Sequence, residues 1–297
     1  MNNFKFLVSL LPLFLLSSCD RDTTDDSATD DPTNTEARLI IKLAVDPDQA
    51  RLGNLGEPAS IPDGHAAQSP RFNTISAHYL ELSPTATTPL GQGSILYNAP
   101  ETNQGGSTAI DFEQALIVSP GEEFLNIPLS QLSAGSYQWV RLSLSYQNYD
   151  IDFQFNDIPL SGTVASFVGF DTYIDSYLIK DETVTVTDNK KQGYWGFESN
   201  GIVQTGQAPE GATTVPNPLF DSSPIPQGSC VVTAGFETPL QINGDETQDI
   251  VLTLSLSTNQ SFEWIDTNGN GIWDVTSDAT EPVVDMGLRG LKPSYEN

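Results

Sequence analysis

The chain has 297 residues, with 39 acidic against 12 basic side chains, a formal charge of −27, two Cys and two His. Such a field repels nucleic acid and anionic lipid surfaces and favours cations or basic partners. With only His65 and His78 available, a multi-histidine metal site is excluded. The length suffices for one large β domain or two small ones, with a substantial buried core.

In chain order, Lys5 supplies a positive start and residues 6–16 form an apolar run of eleven, broken only by Ser9 and Pro12. That is signal-peptide length, too short to span a bilayer. The run ends in Leu16-Ser17-Ser18-Cys19. This stretch resembles the lipobox of bacterial lipoproteins, and the resemblance covers the first 19 residues. It implies a signal peptide over residues 1–18, cleavage before Cys19, and acylation of Cys19, palmitate included. Several acyl chains there would exceed the marginal hold of one myristoyl chain. The competing reading is an ordinary signal peptide with an incidental Cys. A mature chain from Cys19 keeps 11 Lys and Arg against 39 Asp and Glu, a formal charge of −28.

Residues 19–37 follow as a tether rich in Asp, Thr and Ser, with too little apolar content to offset the entropy of ordering. Extended, it would hold the body roughly 60 Å from the lipid. Acids after the Cys resemble surface-export signals of some Gram-negative groups, whereas Asp directly after it resembles the inner-membrane retention signal of others. The expected location is the bacterial cell envelope, at the outer membrane, with its face left open.

From residue 38 the pattern is β. Residues 38–46 alternate, with Leu39, Ile41, Leu43 and Val45 on one face. Residues 46–70 form a Pro/Gly-rich loop. Strands are predicted over 72–82, 94–97, 110–118 and 123–129. The best segment is 137–155, where Val140, Leu142, Leu144 and Tyr146 share one face and Trp139, Arg141, Ser143 and Ser145 the other. Asn148 reads as a turn or bulge within it. Strands at 163–170, 173–179 and 183–187 precede a turn at 188–191 and an aromatic strand at 193–197. Residues 199–228 are irregular, a surface loop or a subdivision point. Strands at 230–236 and 249–257 are too few for a core of their own, so they should complete the earlier sheets. With no long helix in the pattern, the expectation is an all-β fold, a β-sandwich of antiparallel strands with long Pro/Gly-rich loops, as a single domain over 38–297.

One stretch carries metal-site chemistry. In Asp266-Thr267-Asn268-Gly269-Asn270-Gly271-Ile272-Trp273-Asp274, oxygen-bearing side chains fall at positions 1, 3, 5 and 9, with Gly at 6. This resembles the first nine positions of an EF-hand calcium loop. It departs from that motif at position 12, which is Ser277 rather than Glu, and in its strand-like flanks. It looks more like nine-residue calcium loops that join β-strands in some extracellular proteins. The resemblance implies calcium held by Asp266, Asn268, Asn270, the Ile272 carbonyl and Asp274, with Asp278 or Glu281 completing the shell. Asn-Gly pairs also suit hairpins that bind no metal.

Other candidates carry less. Asp150 and Asp152, two apart on a strand, project from one face and could serve glycoside hydrolysis, or could simply be a polar face of an acidic protein. Trp139 and Trp195 are candidate sugar platforms, although aromatics in β proteins are more often core. His65 and His78 read as structural, and Cys230 as a buried thiol. The chain as a whole resembles Gram-negative envelope lipoproteins rather than a named enzyme family. The expected function is non-catalytic: a β-sandwich anchored to the membrane through its N-terminal lipid, with a binding or structural role toward a glycan or protein. The alternative is a carbohydrate-active enzyme or glycan-binding module of the envelope.

Two outcomes follow for the N-terminus. Cys19→Ala should move the protein out of the detergent phase in partitioning experiments; retention there would refute lipidation at Cys19. With Cys19 acylated, no disulfide partner remains for Cys230, so mass spectrometry of the mature protein should find Cys230 as a free thiol.

Overall fold

The alternation over residues 38–46 forms β1 (Arg38–Asp46), whose Leu39, Ile41 and Leu43 are fully buried. A computed structural model describes residues 36–52, 57–208, 229–276 and 279–297. Cys19, the tether before residue 36, the segment 209–228, Ser277 and Asp278 lie outside the described residues. After β1 come β2 (His65–Gln68), β3 (Arg71–Ser83), β4 (Ser94–Asn98), β5 (Glu101–Thr102), β6 (Ala109–Asp111), β7 (Ile117–Val118) and β8 (Glu123–Pro128). The central strand is β9 (Gly135–Phe155), followed by β10 (Ile158–Phe167), β11 (Asp171–Ile179), β12 (Glu182–Lys191), β13 (Tyr194–Ser199) and β14 (Ile202–Gln207). The last group is β15 (Cys230–Ile242), β16 (Ile250–Ser257), β17 (Phe262–Ile265), β18 (Asp274–Val275), β19 (Val283–Met286) and β20 (Arg289–Glu296).

The fold is all-β and sandwich-like. One sheet has the order β20-β16-β1-β8, and the largest runs β14-β13-β10-β9-β3-β4, with β15 and β18 also on β9 and β7 on β3. Smaller sheets are β12-β11-β6-β5 and β19-β17-β2. The first sheet turns Leu39, Ile41, Leu43, Leu252, Leu254 and Leu256 onto Leu80, Leu82, Val140, Leu142 and Leu144 of the large sheet. Burying each such side chain contributes roughly 1.5–3 kcal/mol. Most ladders are antiparallel, but β1 pairs β16 in parallel, as do β6 with β11 and β9 with β18. The strands predicted at 230–236 and 249–257 do complete the earlier sheets, through β15 on β9 and β16 on β1.

β9 organises this arrangement. Its Val140, Leu142 and Leu144 enter the sandwich core, and Tyr146 enters a second cluster with Phe112, Phe167 and Tyr177. Tyr149, Ile151 and Phe153 enter a third with Phe262, Trp264 and Trp273. At roughly 3.3 Å per residue it is long enough to reach all of them. It does not turn at Asn148, but its pairing with β3 shifts register there, between Phe72 and Thr74, in line with the bulge alternative. Asn148 is buried and pairs both Thr74 and Ala165, and its amide bonds Tyr146 and Asn73 rather than a turn backbone.

Other sequence expectations also shift. The 110–118 segment is broken by a 3-10 turn at Phe112–Gln114, which buries Phe112. Residues 188–191 belong to β12, and the chain reverses at Gln192-Gly193, where Gly193 has φ +85°. β14 lies inside the stretch read as irregular, joined to β13 by Asn200-Gly201 with φ of 53° and 77°. Those positive values at consecutive residues fit a type I′ hairpin turn.

The face of β9 read as polar is covered rather than solvated. Arg141 and Glu81 are almost completely buried, with Nη1 3.7 Å from Oε2. Glu81 also accepts the Gly91 and Gly93 amides and the Tyr79 hydroxyl, and Arg141 donates to the Thr88 and Ala86 carbonyls. This pair therefore ties residues 84–93 over β3 and β9, with Leu90 packed against Tyr79 and Val231. Arg141→Met leaves Glu81 buried without its cation and should cost about 3–5 kcal/mol. Adding Glu81→Leu should recover part of that loss, as read from urea unfolding midpoints; no recovery would mean the backbone contacts, not the charges, hold the loop.

Candidate functional site

The 266–274 loop leaves β17 and returns through β18, which pairs Gln154 and Phe155 of β9. Its two Asp and two Asn side chains turn into the loop. Asp266 Oδ1 accepts the Gly269 and Asn270 amides and Oδ2 accepts that of Gly271. Asn268 Oδ1 accepts the Asn270 amide and Asn270 Oδ1 that of Ile272. The side-chain nitrogens of Asn268 and Asn270 both donate to Asp274 Oδ2, at 2.6 and 2.7 Å. Gly269 and Gly271 sit at φ +75° and +72°, where glycine avoids the steric cost of a Cβ. The structure thus gathers Asp266, Asn268, Asn270 and Asp274 at one locus, while the Ile272 side chain stays partly exposed.

Glu281 has a different task from the one its position suggests. It is buried, its Oε1 accepts the Thr267 amide and hydroxyl, and its Oε2 accepts the Asp274 amide. Both oxygens are committed to holding the loop ends together. Trp273 seals the base by donating Nε1 to the Glu281 carbonyl and packing on Phe153, Phe197 and Phe262. The side chains at this locus are two carboxylates and two amides; the amide nitrogens face Asp274 and the amide oxygens accept backbone N–H groups. Among the described residues, no three His, Cys, Asp or Glu side chains cluster in a metal-holding arrangement.

Two cavities lie along β9, and the second borders this loop. One, of about 480 Å³, is lined by Asn73, Tyr146, Asn148, Asp150, Thr163 and Leu178 among others. The second, of about 820 Å³, is lined by Asp152, Gln154, Leu160 and Asn200 and bordered by Gly271, Ile272 and Trp273 of the loop. Ser161 and Lys180 belong to both. A ladder of hydrogen bonds floors the first: Asn148 to Tyr146, Asn73 to Asn148 and Asp150, and Thr163 to Asp150. Burial pushes the Tyr146 phenol up to about 12, so it stays protonated there.

Asp150 and Asp152 share a face but not a role. Asp152 receives both Arg71 Nη atoms at 3.0 Å, and that pairing lowers its carboxyl below the usual range. Both partners are largely exposed, so the ion pair stabilises little. No protein-family model matches the chain, and no curated protein or solved structure is significantly similar to it. Function therefore has to be read from the geometry.

Trp139 and Trp195 line neither cavity, whereas Trp264 and Trp273 line the second. Trp139 stands opposite Gly235 and Trp195 opposite Gly206, where a Cβ would come within 2.5 Å of the indole Cζ2. Each ring covers a cross-strand glycine, a packing role. Cys230 is buried and forms no disulfide among the described residues. His65 bonds Glu263, which also receives Arg51; burial works to raise the Glu263 carboxyl, but these two partners prevail and lower it. The cavity residues Asn73, Ser161, Thr163 and Lys180 carry no motif and come from β3, β10 and the β11–β12 hairpin. Only the strand pairing that brings them together identifies them.

His78 is fully buried, with Nε2 3.1 Å from Glu101 and no partner for Nδ1 among the described residues. A neutral ring with its proton on Nε2 fits this setting. Burial lowers its pKa despite the pull of Glu101. The unfolded chain then takes up a proton that the folded chain resists, so this contribution is whole above pH ~6.5 and declines as pH falls below it. Chemical unfolding between pH 7 and 5 should show that decline, and His78→Gln should flatten it; an identical slope in the variant would assign the effect to other groups.

Proposed function

We propose that this chain is a lipid-anchored protein of the bacterial cell envelope, non-catalytic, whose β-sandwich body has a binding role and carries a calcium-binding loop at 266–274. The observation that supports the loop reading most is the convergence of Asn268 and Asn270 on Asp274, with Asp266 turned into the same loop to accept the Gly269, Asn270 and Gly271 amides, at the spacing of a calcium loop. Asp266 and Asp274 would supply charge, and Asn268, Asn270 and the Ile272 carbonyl would supply neutral oxygen. With two carboxylates the affinity should be weak, about 10⁻⁴–10⁻³ M, as in extracellular modules. Calcium is preferred over magnesium because such a loop tolerates longer bonds and a higher coordination number.

The role fits the loop's place in the fold. It links β17 to β18 and hence the small β19-β17-β2 sheet to the end of β9. An ion bound there would fix the C-terminal segment against the large sheet. The arrangement of Asp150 and Asp152 supports binding rather than glycoside hydrolysis. Asp152 is tied to both Arg71 Nη atoms, so it is not free to act with Asp150 as an acid–base pair. The anchor reading rests on Leu16-Ser17-Ser18-Cys19 alone.

Thermal melting in calcium, magnesium and chelator tests the loop. At ~10 mM calcium, binding to the folded state alone should stabilise by about 1.4–2.7 kcal/mol. For a domain of this size that raises Tm by roughly 3–10 °C. Magnesium should give less, and Asp266→Ala should remove the shift. A wild-type Tm that is the same in all three conditions would count against the site, and a shift persisting in Asp266→Ala would put the ion elsewhere.

A further inference from the structure

The two cavities meet at Ser161 and Lys180, and both fall in the size range of ligand sites. We propose that they form one cleft that binds a neutral oligosaccharide, with Asp150 as acceptor in the first cavity and Gln154 as a paired donor and acceptor in the second. This rests on the binding role proposed above and is independent of calcium.

The lining chemistry selects the ligand class. The carboxylates Asp150, Asp152 and Asp181 face one lining cation, Lys180, whose Nζ is already 3.6 Å from Glu198. An anionic ligand would enter an acidic wall on a chain of charge −27. An apolar ligand would strip water from the amides and carboxylates without replacing its hydrogen bonds. A cation finds its best partner, Asp152, neutralised by Arg71, and meets Lys180 at the junction. A hydroxylated neutral ligand meets none of these penalties, because each hydroxyl both donates and accepts.

Several groups at the cleft are available to such hydroxyls. Asp150 Oδ1 takes Asn73 and Thr163, while its Oδ2 takes no hydrogen bond among the described residues. Fixing one oxygen orients the other. The side chains of Gln154, Ser161 and Asn200 likewise make no hydrogen bond among the described residues, and Lys180 adds donors at the junction. Leu160 and Trp273 offer apolar surface to the C–H face of a sugar ring. Two chambers that share Ser161 and Lys180 suit a ligand of more than one ring.

Calorimetric titration of the full chain with neutral tetrasaccharides tests this, using β-1,4-glucan, α-1,4-glucan, β-1,4-xylan and N-acetylglucosamine oligomers. Spermidine and a sulfated tetrasaccharide serve as the cationic and anionic comparisons. At least one neutral probe should bind one-to-one, in chelator as well as in calcium. Asp150→Asn and Gln154→Ala should each weaken it tenfold or more. Gln154→Ala removes no internal side-chain bond, so it keeps the test sound if Asp150→Asn unfolds, which melting would reveal. Three results would overturn the proposal: no neutral probe binding at 10 mM, preference for either charged comparison, or undiminished binding in Gln154→Ala. A calcium-dependent Tm without saccharide binding would sink this inference and leave the calcium loop standing.

Discussion

β9 is the constraint on which the rest depends. One strand, Gly135–Phe155, contributes to the sandwich core, the Phe112–Phe167 cluster and the Trp264–Trp273 cluster. It pairs β3, β10, β15 and β18 along its length. Both of its faces are covered through the middle, from Val140 to Tyr149. A strand with polar residues on one covered face must satisfy them internally. The Glu81–Arg141 pair and the Ser76–Ser145 bond satisfy part of the first half and the Asn73–Asn148–Asp150 ladder part of the second, while Ser143 Oγ and Gln147 Oε1 have no hydrogen bond among the described residues.

That requirement links fold to site. The same alternation that puts Tyr149, Ile151 and Phe153 into one cluster puts Asn148, Asp150 and Asp152 on the opposite face. Where a loop covers that face, around Arg141, the polar groups become structural. Where only hairpin ends border it, around Asp150 and Asp152, cavities remain. The calcium-type loop closes the end of this face, because β18 adds to β9 at Gln154 and Phe155.

The legible parts of the chain were those with local causes. β1 and the first half of β9 followed from alternation, since Leu39, Ile41, Val140 and Leu142 each face a core two residues from the next. The turn at 266–274 was legible because its Asp, Asn and Gly positions all lie within nine residues. The covering of Arg141 was not, since residues 84–93 carry no sign of where they fold. β17 was legible only as the strand-like flank of the loop; β19, at four residues, is too short for alternation to register, and β20 contains Gly290 and Pro293. β14 was overlooked although Asn200-Gly201 is a strong hairpin signal, because the Pro-rich residues after it dominated the reading. The cavities draw on strands far apart in sequence, so only the pairing of β3, β9 and β10 assembles them.

If β9 is the shared element, its two halves cannot open separately. Native-state hydrogen exchange measured amide by amide along β9 tests this. The account predicts that amides at Val140, Leu142 and Leu144 and those at Tyr149, Ile151 and Phe153 exchange through the same global opening, within about 1 kcal/mol of each other and with the same denaturant dependence. Exchange of the 149–153 amides through a distinct low-energy opening, while 140–144 stay protected, would contradict it.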